Sequence, residues 1–259
     1  MTLTASRPPL TAIMSALPEE QHGLLEQLQG AQKKTVAGRD FWLGQLQGQT
    51  VALGLSRIGK VSATLTAAVL IGHFGAGRVI FTGVAGGLGQ DVKVGDVVVA
   101  HDFIQHDLDA SPLFPRFEVP LYGRSRFPCD PSLTALLSLA AGRALATAAS
   151  ATSRVLAGAQ VHTGLIASGD RFVSSADESR RLRSALEGAG HTALAVEMEG
   201  AAVAQVCADY GVAFAAMRTI SDRADDTAHI DFPTFVAEVA SRYAQLIIEE
   251  LMQSLPAPG

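Results

Sequence analysis

The residues of this 259-residue sequence best suited to chemistry fall where hydrophobic runs end. Glu19 and Glu20 follow the apolar run Leu10–Ala16, and Ser168-Gly169-Asp170 follows Val161–Ile166. Glu197-Met198-Glu199 follows Ala193–Val196, and Ser221-Asp222 follows Ala213–Ile220, which itself carries Arg218. A fifth run, Val79–Thr82, ends in Gly83-Val84-Ala85-Gly86-Gly87. In open α/β sheets ligands bind beyond the carboxyl ends of the strands. Strands sharing one sheet and one direction would bring these carboxylates to a single crevice. Like charges held together there raise one another's pKa, and such groups suit acid–base work.

Each residue also has a plainer reading. Glu19 and Glu20 suit the first turn of a helix, where the dipole favours negative charge. Gly83–Gly87 reads as a tight turn; it does not match GxGxxG, although glycines there let a ligand approach the backbone. Glu197 and Glu199 point to opposite faces if extended, so one can face a cleft while the other makes a structural pair. Asp222 suits a cap or a turn. Arg218 sits within an apolar strand and needs a partner, either in a buried ion pair or in a site. His106, His162 and His229 show no metal-ligand spacing.

The elements that must position these groups alternate along the chain. Residues 1–10 read as a disordered leader and 11–255 as one domain. Pro18 opens a helix through Leu28. Phe41–Leu46 and Val51–Leu55 form a hairpin about a Gln47–Thr50 turn. Gly59 opens a helix through His73, and Val97–Ile104 is a further strand. Residues 106–129 form a long loop or flap. Helices then span about Pro131–Thr147, Ala176–Leu186, Glu199–Tyr210 and Phe232–Met252, with the strands already named between them. Near-continuous apolar strands alternating with helices predict one α/β domain with a mostly parallel or mixed sheet.

Composition narrows the function classes. Hydrophobic residues make up 48% of the chain and the formal net charge is −5. An acidic chain lacks the basic face a general nucleic-acid binder needs, but a small, weakly charged ligand remains open. Cys129 and Cys207 form no CxxC pair and read as reduced thiols of a cytoplasmic protein. No secretory signal or membrane span is expected.

Taken together, the motifs resemble those of the purine nucleoside phosphorylase and nucleosidase superfamily. Ala195–Ala202 resembles its AVEMEA signature, and Arg218–Asp222 its R-x-I-S-D motif. Ser56–Val61 resembles SGIGKV, Thr82–Leu88 resembles TGSAGGL, Asp91–Val99 resembles LKVGDIVV, and Gly164–Val173 resembles GLIVSGDxFI. Order and spacing agree from about Ile13 to Leu251, and the bacterial 5′-methylthioadenosine/S-adenosylhomocysteine nucleosidases are the nearest pattern.

The resemblance implies a single α/β domain with a mixed sheet partly closed as a barrel and flanking helices, usually in a homodimer. It implies Asp222 as the general acid protonating adenine N7, oriented by Ser221, and Glu20 as the group positioning the attacking water, with Arg218 nearby. Glu199 and the Met198 backbone would bind the ribose hydroxyls, with Glu197 also among the substrate-binding residues. Phe172 would stack near adenine and the Val173 backbone would read its edge. Val84, Ala85 and Gly86 would line the site, with Ile58 and Phe232 around the alkylthio group and the Ala110 region supplied by a partner subunit. No cofactor or metal is implied. Adenine is a poor leaving group as an anion, so N7 must gain a proton as the bond breaks, and carboxylates stabilise the positive charge developing on ribose.

Three positions depart from the pattern. Leu17-Pro18-Glu19-Glu20 stands for MEEE, Val84 replaces a Ser, and Arg57 replaces a Gly; Ser111–Phe127 aligns poorly. An Arg beside the cleft could hold phosphate or a substrate carboxylate. Four functions therefore compete: hydrolysis of methylthioadenosine and adenosylhomocysteine, a phosphorylase, a futalosine-type hydrolase, and a non-catalytic nucleoside-binding protein. The last would be expected to lose Asp222 or Glu20.

Overall fold

Strand β1 (Leu10–Ser15) lies at the centre of an open sheet, parallel to β4 (Gln49–Leu55) on one side and β5 (Ala76–Phe81) on the other. Its residues from Thr11 onward are buried, which accounts for their apolar run. The computed structural model describes residues 10–150, 158–224 and 235–256. Residues 1–9 of the expected leader lie outside these, and Leu10 already belongs to β1.

The expected hairpin is present as β3 (Arg39–Leu46) and β4. A strand absent from the sequence reading, β2 (Gln29–Val36), pairs antiparallel with β3 at the sheet edge. Its residues are exposed almost throughout, so no hydrophobic alternation marks it. Backbone pairing and the Lys33–Asp40 ion pair at 2.7 Å hold it instead.

Strand β11 (Ala213–Asp222) belongs to two structures at once. Its first half, Ala213–Ala216, pairs with β5. Its second half pairs with β6 (Val84–Gly87) and, antiparallel, with β7 (Val97–Gln105). The ring β11-β6-β10-β9-β7 closes a five-stranded mixed barrel within an eleven-stranded sheet, with β9 at Val161–Ser168 and β10 at Ala193–Glu197. The short β8 (Arg126–Pro128) edges β7 within the otherwise irregular 106–129 segment.

Two expectations change here. The glycine cluster is a strand of the barrel rather than a turn. Strands β9 and β10 run opposite to β6 and β11, so the candidate strands do not share one direction. Their ends still meet, because β6 is only four residues long. Gly86 is in register with both Val196 and Asp222, so the end of β10 and the end of β11 flank the same residue.

Helices cover both faces. On one side α1 (Pro18–Glu26), α3 (Pro131–Ser150) and α6 (Ser241–Ser254) bury Leu24, Leu137, Ile247 and Leu251 against the sheet. A π-helical turn, Val236–Ala240, leads into α6. On the other side α2 (Lys60–Gly72) and α5 (Gly200–Tyr210) bury Ala67, Leu70, Val203 and Cys207. Helix α4 (Ala176–Gly188) covers the barrel with Leu186. Cys129 and Cys207 are free and buried. Among the described residues no helix is long and apolar enough to cross a membrane.

Candidate active site

A cavity of about 300 Å³ opens where β1, β5, β6, β10 and β11 meet. Glu20, Ile58, Val84, Ala85, Gly86, Phe172, Val173, Glu197, Met198, Glu199, Arg218, Ser221 and Asp222 all line it. The tertiary structure thus gathers residues spread over two hundred positions of the chain. Two expected residues stand apart. Ala110 is half-buried and does not line the cavity within this chain, and Phe232 lies outside the described residues.

Glu20 enters on the first turn of α1. Its Oε2 accepts the Ala16 and Leu17 amides at 2.8 and 2.9 Å, and its Oε1 accepts the Val84 amide at 3.1 Å. The helix-start reading and the site reading therefore both hold for this residue, while Glu19 is exposed. Burial pushes the Glu20 carboxyl above its ordinary value, against the Leu17 amide and the Arg218 charge. Glycine at position 83 leaves room for it: a Cβ there would sit 3.1 Å from Glu20 Oε1.

Arg218 satisfies both of its sequence readings. Nη2 donates to Glu197 Oε2 at 2.7 Å, and Nη1 donates to the Met217 and Phe81 carbonyls at 2.9 and 3.2 Å. Its guanidinium carbon lies 4.1 Å from the Phe81 ring centroid. Glu197 also accepts the Ser168 hydroxyl and, at 2.8 Å, the Gly200 amide. The carboxylate of Glu197 is thus the structural partner, and its neighbour two positions on turns to the cavity. Glu199 Oε1 accepts the Gly59 amide at 2.8 Å. Burial, then the nearby Glu197 charge, pushes the Glu199 carboxyl up to about 8.

Asp222 ends β11 rather than following it. Its Oδ2 accepts the Ser221 hydroxyl at 2.8 Å and its Oδ1 accepts the Ala224 amide at 2.7 Å. It is both a turn residue and a cavity residue. A Cβ on Gly86 would meet Asp222 Oδ1 at 3.0 Å, so glycine allows that approach.

Arg57 turns away: its Nη2 donates to the Gly38 carbonyl at 2.9 Å, and it does not line the cavity. Instead Arg171, which the sequence reading passed over, stands at the rim with its Nε 2.6 Å from Glu178 Oε1. It occupies the variable position of the GLIVSGDxFI pattern, which is the signal that could have found it. Ser175 caps α4 by accepting the Glu178 amide at 3.2 Å, fixing the loop that carries Phe172 and Val173. Ala16, Leu17, Phe81, Thr82, Gly83 and Val196 complete the lining. Among the described residues no group of three or more His, Cys, Asp or Glu could hold a metal ion.

Comparison with known proteins agrees with the geometry. Residues 11–253 match the phosphorylase superfamily. The chain is 34% identical to a 5′-methylthioadenosine/S-adenosylhomocysteine nucleosidase of Geobacillus kaustophilus, covering 93% of this chain and 95% of that one. The solved structure of such a nucleosidase from Neisseria meningitidis, in complex with methylthio-immucillin-A, superposes with a TM-score of 0.83 at 35% identity. That match covers 96% of this chain and 100% of the other. Futalosine hydrolase of Helicobacter pylori superposes with a TM-score of 0.82 at 32% identity, covering 95% and 98% of the two chains. With its barrel-bearing α/β domain and its carboxylate-lined cavity, this chain belongs to the phosphorylase superfamily, in the 5′-methylthioadenosine/S-adenosylhomocysteine nucleosidase family.

Proposed function

We propose that the protein hydrolyses the N-glycosidic bond of 5′-methylthioadenosine and S-adenosylhomocysteine, releasing adenine and the 5-thio-substituted ribose. The observation that carries this reading is the placement of Glu20 and Asp222 on one cavity whose lining Arg218 is held by Glu197 and two carbonyls. Asp222, oriented by Ser221, gives a proton to adenine N7 as the bond breaks. Glu20 positions water for the ribose carbon, and Glu199 with the Met198 backbone holds the ribose hydroxyls. The carboxylates stabilise the positive charge that develops on the sugar. Phe172 and Val173 take the base, and Ile58 borders the alkylthio group, with Phe232 assigned there from the resemblance alone. The reaction uses no cofactor. The working unit is a cytoplasmic homodimer in which the partner's 110 region completes the pocket.

Water rather than phosphate is the favoured nucleophile. Arg57 is bonded to Gly38 O, and Arg171 is paired with Glu178 at the rim. A futalosine-type substrate is the second reading, supported by the similarity to futalosine hydrolase of Helicobacter pylori. The deciding experiment is product analysis with 5′-methylthioadenosine, with and without phosphate. Free methylthioribose in phosphate-free buffer is expected; a sugar 1-phosphate formed only with phosphate overturns the assignment.

A further inference from the structure

Two successive backbone amides at the start of α2 are held by carboxylates from different parts of the fold. Gly59 N–H donates to Glu199 Oε1 at 2.8 Å, and Lys60 N–H donates to Asp170 Oδ1 at 2.7 Å. Gly59 has φ +95°, a conformation that L side chains rarely adopt, and a Cβ there would meet Asp170 Oδ1 at 3.2 Å. The Lys60 side chain then reaches across: Nζ donates to Asp107 Oδ1 at 2.6 Å and to Gln105 Oε1 at 3.1 Å. The second Asp107 oxygen accepts the Asp170 amide at 2.8 Å.

Lys60, Asp107 and Asp170 therefore close a ring of three hydrogen bonds joining the start of α2, the segment after β7 and the loop after β9. Burial works against the Asp107 charge, but the Lys60 and Asp170 contacts outweigh it and hold the carboxyl below its ordinary value. None of the three lines the cavity, yet two of the joined segments border it: Ile58 precedes Gly59, and Arg171-Phe172-Val173 follows Asp170.

We infer that Lys60 is a positioning residue: through this ring it keeps the Gly59 amide on one oxygen of Glu199, leaving the other oxygen for the ribose hydroxyls. The inference rests on the ribose-binding role proposed for Glu199. It predicts an effect confined to substrates that carry those hydroxyls, because a general loss of rigidity would not distinguish them.

The test is steady-state kinetics of wild type, Lys60→Met, Asp170→Ala, Asp170→Asn and Glu199→Gln on 5′-methylthioadenosine and on its 2′-deoxy and 3′-deoxy counterparts. Lys60→Met and Asp170→Ala are expected to raise KM for the parent nucleoside about tenfold, the scale of one lost charge-assisted hydrogen bond, with kcat nearly unchanged. The penalty should shrink for a deoxy counterpart. Asp170→Asn keeps both the acceptor oxygen and the backbone amide of the ring, so it should behave as wild type. An equal penalty on all three substrates in Lys60→Met and Asp170→Ala overturns the inference while leaving Glu199 in its role. If Glu199→Gln itself fails to distinguish ribose from deoxyribose, the role of Glu199 falls, and the inference with it.

Discussion

Arg218 Nη2 lies 2.7 Å from Glu197 Oε2, with the two side chains 1% and 3% exposed. The pair joins β11 to β10, which are not adjacent in the sheet because β6 lies between them. Two ions taken out of water need close to complete hydrogen bonding. Here the Ser168 hydroxyl, the Gly200 amide and two carbonyls provide it. Removing one partner strands the other charge. Glu197→Ala should therefore lower unfolding stability by about 3–5 kcal/mol, measured in urea. A loss below about 1 kcal/mol would mean that water already screens the pair.

Asp222→Asn retains an oxygen for the Ala224 amide that Asp222 now accepts. The fold should survive, and the thermal midpoint should stay close to wild type. Turnover of 5′-methylthioadenosine should fall by about 10²-fold or more, the range for a lost general acid. Near-wild-type adenine release would remove Asp222 from the acid role.

Glu199 links stability to pH. Its folded carboxyl is pushed up to about 8 from an ordinary 4.5, so between those values the native state binds the extra proton. Its contribution is fully present below pH 4.5 and is lost as pH rises through about 8. Glu20 shifts in the same direction. Glu199→Gln should flatten the decline in unfolding free energy across this window. Parallel curves for variant and wild type would refute the linkage.

Gly86→Ala tests close approach. The new methyl would sit 2.9 Å from Ala224 Cβ and 3.0 Å from Asp222 Oδ1. Overpacking of this kind costs about 1–3 kcal/mol. The displaced group is the proposed acid, so kcat should fall more than stability alone explains. Unchanged kcat would show that Asp222 can shift without consequence.

The two thiols should be silent in the native state. Burial pushes Cys207 up to about 12 and raises Cys129 further still. An aromatic disulfide reagent at pH 8 should label neither until denaturant is added, and then both. Rapid labelling of the native protein would contradict their burial.

Much of this fold could be read from residue order alone. Apolar runs such as Ala12–Met14 and Val97–Ala100 mark strands because burial on both faces removes any need for polar positions. Strand β2 could not be read that way, since its exposed residues gain order only from the neighbour they pair with. Nor could β6, whose glycines look like a turn until two strands close on them.

The site divides along the same line. The sequence by itself determined which groups were available: Glu20, Glu197, Glu199, Arg218, Ser221 and Asp222, each within or a few residues beyond a strand whose hydrophobicity fixes its place. Only the tertiary structure decided their partners. It assigned Glu197 to Arg218, turned Arg57 outward to Gly38 and put Arg171 at the rim. It also let strands of opposite direction meet at Gly86. The physical reason is that hydrophobic pattern is a local property of the chain. The partner of a buried charge is set by register and barrel closure between segments far apart in sequence.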